Sequence, residues 1–399
     1  MKLTTLDDWL SGPEAQANPI RGRRVFVRAD LNVPLDSGRI VDDSRLKASV
    51  GSVKRLCTAG ARVILASHLG RPKGERVASL SLAPLAPAFS ERSGLSVTFV
   101  EDCVGETAAT AADALGEGEV LLLENLRFHR GETQNQPEFS RALATLAELY
   151  VNDAFGTAHR AHASTVGMVA HASAAAAGDL MLDEIQHLSA ILRPERPLLC
   201  LLGGGKVSDK LGALQNLAER ADILAVGGAM AYTFLAARDE PVGNSRVESD
   251  RIGEAQRLLD RAAAGQYELL LPTDHVVSQT LDGSGESKIV RSIPAGWMGV
   301  DIGPETAARY AAAAHAARTL FWNGPMGIFE IEPFAKGTEH VARAVADSPA
   351  TSVVGGGDSL AAVNGLGIGN RVGHRSTGGG ASLEFVQGLE LPGLKALEQ

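Results

Sequence analysis

The stretch from Leu198 to Lys210, LLCLLGGGKVSDK, most constrains what the chain can fold into. An unbroken apolar run that stops at consecutive glycines reads as a strand buried on both faces, hence a strand of a parallel sheet covered by helices. Gly203, Gly204 and Gly205 leave the backbone bare, so an anionic group can approach the amides of the turn and of the helix that follows. Ser208 and Asp209 suit that helix's first turn. Lys206 and Lys210 would then stand one turn apart and reach phosphate oxygens on the same side. The competing reading is a tight turn with two solvated lysines. Val207 occupies the place where a Walker A loop needs Ser or Thr, and no G-x-G-x-x-G occurs anywhere, which weakens a dinucleotide reading.

A chain of 399 residues exceeds one ordinary core, so two domains are expected. The net charge of -9 argues against a nucleic-acid surface and makes any basic cluster a local anion site. Cys57, Cys103 and Cys200 lack paired spacing and suggest reduced, buried thiols of a cytoplasmic protein. No signal peptide opens the chain, and the alanine-rich stretch Ala170 to Ala177 is too short to span a bilayer.

Residues Met1 to Asn18 read as an irregular lead-in. RRVFVRAD alternates like a strand and delivers Asp30 and Asn32 at its carboxyl end, where Pro34 stops the ladder. Asp42, Asp43 and Ser44 mark a helix start with Arg45 in its first turn; alone, Arg45 would be a surface charge. The strand Arg62 to Ala66 runs into a loop presenting His68 and Arg71. Val120 to Leu123 leads to Arg127, and Leu149 to Val151 leads to Arg160. Several consecutive strands thus bring a cation to one sheet edge, a basin suited to a small, multiply anionic substrate. His159 and His162 read as structural hydrogen-bonders, and Asp153 as a partner that holds one of the cations.

Between Asp179 and Leu192, Met181, Ile185, Leu188 and Leu192 have amphipathic helical spacing, ended by Pro194, a natural hinge. Beyond it, the strand ends are glycine-rich and nearly uncharged: Gly227 and Gly228, Asn323 and Gly324, Gly355 to Ser359, and Gly378 to Gly380. Such ends bind a nucleotide's base and phosphates through backbone groups. Asp358 could carry magnesium or cap a helix. Glu330 is a ribose acceptor or a solvated charge. Asp282 to Ser287 reads as an exposed hairpin or loop tip.

The strings RADLNVP, SHLGRPKG, LLLENLRFH, YVNDAFGTAHRAHAST, GGGKVSDK, GGAMAYTFL, WNGPMG, VVGGGDS and STGGGASLEF together resemble the phosphoglycerate kinase family over essentially the whole chain. The resemblance implies an α/β fold of two similar, Rossmann-like three-layer domains with parallel sheets, joined by a hinge helix. Residues 1–178 would bind glycerate, with the tail 386–399 packing back on them; 179–193 would be the joining helix and 194–385 the nucleotide domain. The implied reaction is reversible transfer of the acyl phosphate of 1,3-bisphosphoglycerate to ADP, giving 3-phosphoglycerate and ATP, with Mg2+ as cofactor.

By the same resemblance, Asp30, Asn32, His68, Arg71, Arg127 and Arg160 bind glycerate, and Arg45 meets the transferring phosphoryl. Lys206, Gly379 and Gly380 join Arg45 as catalytic groups, while Lys210 binds nucleotide phosphates. Gly227, Gly228, Gly303, Asn323 and Glu330 would contact base and ribose, and Gly356, Gly357, Asp358 and Ser359 the phosphates, with Asp358 on the metal. The partners implied are these small molecules alone, with no nucleic acid or membrane, for a cytoplasmic monomer. Three departures stand out: Leu31 for Phe, Gly205 for Ala before the lysine, and Arg375 for an apolar residue. Two rivals share parts of the pattern. A two-domain anion-binding protein would carry an export signal and have no use for Lys206 with Asp358; another carboxylate kinase would lack the basic basin.

Overall fold

The computed structural model describes residues 3–12 and 20–398. They fall into two compact units, Met1–Ile185 with Glu390–Gln399, and Gln186–Leu389. The first unit holds β1 (Arg24–Ala29), the small hairpin of β2 (Leu35–Asp36) and β3 (Arg39–Ile40), β4 (Arg62–Ala66), β5 (Val97–Val100), β6 (Val120–Leu123), β7 (Leu149–Asp153) and β8 (Ala174–Ala177). Its six-stranded sheet has the order β5-β6-β4-β1-β7-β8, with every pair parallel. Alternate residues supply one face: Val25 and Val27, Val63 and Leu65, Val120 and Leu122 join Leu56 and Phe89 in one core. The edge strands β5, VTFV, and β8, AAAA, escaped the sequence reading.

The second unit contains β9 (Leu198–Leu202), β10 (Ile223–Val226), β11 (Glu268–Leu270), β12 (His275–Ser278), β13 (Ser287–Val290), β14 (Met298–Ile302), β15 (Thr319–Asn323), β16 (Thr351–Gly355) and β17 (His374–Ser376). The parallel sheet β11-β10-β9-β15-β16-β17 is doubly wound. Its order reverses between β9 and β15, so the crevice beyond their carboxyl ends is where ligands bind in such sheets. All five residues of β9 are fully buried, and burying each leucine side chain stabilises by roughly 1.5–3 kcal/mol. A separate antiparallel sheet, β13-β12-β14, was not anticipated beyond the exposed hairpin or loop tip read at Asp282 to Ser287. Its strand β13, SKIV, is mostly exposed and has no buried face to give it a pattern. Residues 279–286 connect β12 to β13, and Ser287 already belongs to the strand.

The lead-in differs from expectation within the described residues: Leu6–Leu10 is a helix, capped by Thr5 and Asp8 in reciprocal bonds of 2.8 and 3.3 Å. Leu6 and Trp9 anchor it in the core. The sequence signal was T-x-x-D ahead of an apolar residue; Pro13 and Pro19 lie outside the described residues. The helix Asp179–Leu192 forms with Met181 and Leu188 buried. At the other end, helix Pro392–Lys395 rests on the first unit, Gly393 N donating to Ala158 O at 2.8 Å. All three cysteines are free and buried, and burial lifts the Cys57 thiol to about 12.

Candidate active site

In the first unit, the carboxyl ends of β1, β4, β6 and β7 carry the basic residues. Asp30 is buried; its Oδ2 accepts from Arg45 Nη1 at 2.8 Å, and its Oδ1 from Asn32 N at 3.2 Å. Asn32 Oδ1 in turn accepts from Gly70 N at 2.8 Å, fixing the loop that carries Arg71. Arg127 Nη1 donates to Gly70 O at 2.8 Å, so the same glycine ties the two loops together. Arg71 and Arg160 are exposed, and Arg160 Nε donates to His159 Nε2 at 3.1 Å.

Arg28 was missed by the sequence reading. It is wholly buried inside β1, with Nε donating to Ser164 Oγ at 2.9 Å, Nη1 to Ala29 O, and Nη2 to His68 Nδ1 at 3.1 Å. Ser164 Oγ donates to Glu132 Oε1 at 2.6 Å. Because Arg28 can only donate, His68 Nδ1 must accept, leaving the proton on Nε2. The available signal was an arginine interrupting an apolar strand. Burial, then Arg28, Arg127 and Arg45, hold the His68 pKa well below its ordinary value, and burial and Arg127 push His162 down to about 4. Arg127 itself is lowered to about 10 by burial and then by Arg28 and Arg160. So dense a group of mutually unfavourable cations is built for a polyanion. Asp153 takes no part in it: its Oδ1 accepts from Leu180 N and Met181 N at 2.9 and 3.2 Å, anchoring the helix start, and burial raises its pKa to about 6.

In the second unit, the ends of β9 and β15 meet at the switch point, Gly203 N donating to Asn323 O at 3.0 Å. The helix expected after GGGK starts only at Leu211, so Lys206 and Lys210 stand in the turn and do not share a helix face. Lys206 is exposed. Lys210 instead folds back beneath the glycines, its Nζ donating to Gly203 O at 2.6 Å and Asn323 O at 2.8 Å, and burial lowers its pKa to about 8. Gly324 holds φ +95°, and a Cβ there would fall 2.2 Å from Gly203 O. Ser359 Oγ accepts from Gly324 N at 2.6 Å, and Asn323 Nδ2 is buried without a partner.

A cleft of about 400 Å³ opens beside this turn, lined by Gly204, Gly205, Gly228, Tyr232, Glu330 and Asp358 among others. Gly227 is not among the lining residues, and a Cβ there would fall 2.3 Å from Met326 Sδ. Gly303 does not reach the cleft. It caps helix Pro304–Ala316, its N donates to Asp274 O at 2.8 Å, and it lines another cavity. Gly299 in β14 does line the cleft, and a Cβ there would fall 2.0 Å from the Tyr232 hydroxyl. Its neighbours Met298 and Val300 line the cleft as well; a pattern of strand ends alone could not find a residue inside a strand. Asp358 caps nothing, since the cap of helix Gly357–Gly365 is Gly356; it is the second helical residue and exposed. Gly379, at φ +55°, caps helix Gly380–Val386.

Arginines gather at the strand ends of one unit, and a glycine-lined cleft bordered by Asp358 lies at those of the other, in a chain of the two-domain α/β class. The phosphoglycerate kinase family model matches residues 16–389. The chain is 52% identical over 383 residues to the phosphoglycerate kinase of Moorella thermoacetica, covering 95% of this chain and 97% of that one. It is 48% identical over 388 residues to that of Leptospira biflexa, at 96% and 98% coverage. Among solved structures, the phosphoglycerate kinase of Coxiella burnetii superposes with a TM-score of 0.85 at 38% identity, covering 96% of this chain and 97% of that one. That of Pyrococcus horikoshii gives 0.84 at 36% identity, covering 96% and 98%. The chain belongs to the phosphoglycerate kinase family.

Proposed function

We propose that the chain transfers the acyl phosphate of 1,3-bisphosphoglycerate to ADP, reversibly, giving 3-phosphoglycerate and ATP, with the first unit binding the glycerate and the second the nucleotide. The observation that carries this reading is the basin itself: Arg45, Arg127, Arg160 and neutral His68 around one sheet edge suit a phosphorylated carboxylate. Asp30 and Asn32 set the geometry of Arg45 and of the Arg71 loop. Phosphoryl transfer asks the protein to align donor and acceptor oxygens and to neutralise charge on the moving group. Arg45 and Lys206 supply positive charge, and the amides around Gly379 and Gly380 supply donors. Lys210 exchanges its carbonyl partners for nucleotide phosphates. A base stacks over Gly228 and Gly299, with Glu330 toward the ribose. The acceptor in the reverse direction is an ionised carboxylate, so no general base is needed and His68, donating from Nε2, binds.

Asp358 fits a magnesium ion: its carboxylate is exposed, caps nothing and lines the cleft. When bound, the metal neutralises phosphate charge. The glycerate set lies before Gly178 and the nucleotide set after Leu198, so transfer requires the units to close and exclude water. No described helix is long and apolar enough to cross a membrane; we place the enzyme in the cytoplasm, as a monomer. A coupled assay following ATP formation from ADP and 1,3-bisphosphoglycerate tests the reading: magnesium-dependent ATP formation supports it, and its absence with both substrates saturating refutes it.

A further inference from the structure

A second cavity of about 410 Å³ lies in the nucleotide unit, among β12, β13 and the starts of helices Pro304–Ala316 and Lys336–Asp347. No residue lines both this cavity and the nucleotide cleft. Its apolar lining comes from Val276, Ile302, Pro304, Ala307 and Pro333, and Ile289 stands at it 62% exposed. Among the described residues, the other large hydrophobics left in water are Val41, Leu281 and Leu389. Leu281 lines the nucleotide cleft. An exposed aliphatic side chain beside a concave surface therefore marks both cavities, and such exposed apolar surface at a cavity is what a ligand covers.

The charged lining is of one sign. Lys288, Lys336 and His340 are among the lining residues, and no carboxylate is. Lys288 Nζ is 3.8 Å from the Trp297 ring centroid, and Lys336 Nζ is 3.5 Å from Glu339 Oε2. Carboxylates already take up amides of the bordering helix starts. Asp274 accepts from Glu305 N and Thr306 N at 2.9 and 2.8 Å, and Asp301 from Gly337 N at 2.6 Å. Lys336 offers an ammonium group to an anion here, and one such point charge suits one carboxylate better than a polyphosphate.

We propose that this cavity is a second ligand site, taking a small amphiphile with an apolar body and a single carboxylate. The body lies on Val276, Ile302 and Ala307 under Ile289, and the carboxylate meets Lys336. The volume matches that of ordinary small-molecule sites, about 300–1,000 Å³.

The test uses the full chain with saturating magnesium ADP, so that the nucleotide cleft is filled, and follows the fluorescence of 8-anilinonaphthalene-1-sulfonate. The site predicts saturable fluorescence that persists with ADP and is displaced by decanoate or by 1-naphthoate. Displacement by the first identifies an acyl body, by the second a flat aromatic one, and either upholds the site. Ile289→Glu and, separately, Lys336→Glu should each raise the probe's Kd about tenfold by placing like charge against it. Both variants should keep wild-type kinase activity, which certifies the fold. Loss of all fluorescence on adding ADP, displacement by neither carboxylate, or an unchanged Kd in both variants would overturn the proposal.

Discussion

Arg45 is held by Asp30 at 2.8 Å while its side chain remains 32% exposed, so it is aimed yet free to meet an incoming phosphoryl group. Replacing it with alanine should lower turnover by ~10²-fold or more, since it meets charge that develops in the transition state. Steady-state kinetics showing a raised KM with unchanged kcat would assign it to ground-state binding instead. Lys206 and Lys210 divide the work: the exposed Lys206 should affect kcat when replaced by alanine, and Lys210 chiefly ADP binding, as paired kinetics and titration will show. Lys210 also sets a pH dependence. Its folded pKa of about 8 lies below the ordinary lysine value. Between those two values the unfolded chain binds the extra proton, so this group makes stability rise as pH climbs above about 8. Nucleotide phosphates favour the ammonium form, so ADP binding near pH ~9 should take up a proton, and Lys210→Arg should abolish the uptake. Calorimetry in buffers of different ionisation enthalpy measures it; equal enthalpies in all buffers would contradict it.

At the scale of elements, the strand-to-helix turns decide the site. Gly228 holds φ +67°, and a Cβ there would fall 2.5 Å from Gly204 N. Gly228→Ala should therefore distort the turn and destabilise by about 1–3 kcal/mol. Gly205 is the opposite case: a Cβ would meet nothing nearer than Arg246 Nη1 at 3.7 Å. Gly205→Ala should stabilise by about 0.4–1 kcal/mol through the unfolded state, answering the one family departure at the catalytic turn. Denaturant titration checks both, and a destabilised Gly205→Ala would show that the turn needs glycine there. These turns were legible because an apolar run ending in glycine has few structural solutions. Lys210 turning inward was not, since nothing local says that two carbonyls of different strands converge beneath it. Gly303 was assigned by the family resemblance and lines a different cavity, whereas Gly299, which lines the cleft, lies inside β14 and carries no turn signal.

For the whole molecule, the parallel order of both sheets follows from apolar strands alternating with helices. The antiparallel β13-β12-β14 sheet, which supplies β14 to the nucleotide cleft, does not, because the exposed β13 has no buried face to give it a pattern. The central claim is that one phosphoryl group passes between a basin in one unit and a cleft in the other. Interfaces between domains of one chain are modest and polar, so bound ligands can supply the contacts that favour closure. Small-angle scattering on the free chain, with each ligand and with both, tests this most directly. The radius of gyration should fall most when 3-phosphoglycerate and a magnesium nucleotide are present together, and less in Arg45→Ala. A radius insensitive to both ligands together would contradict the account.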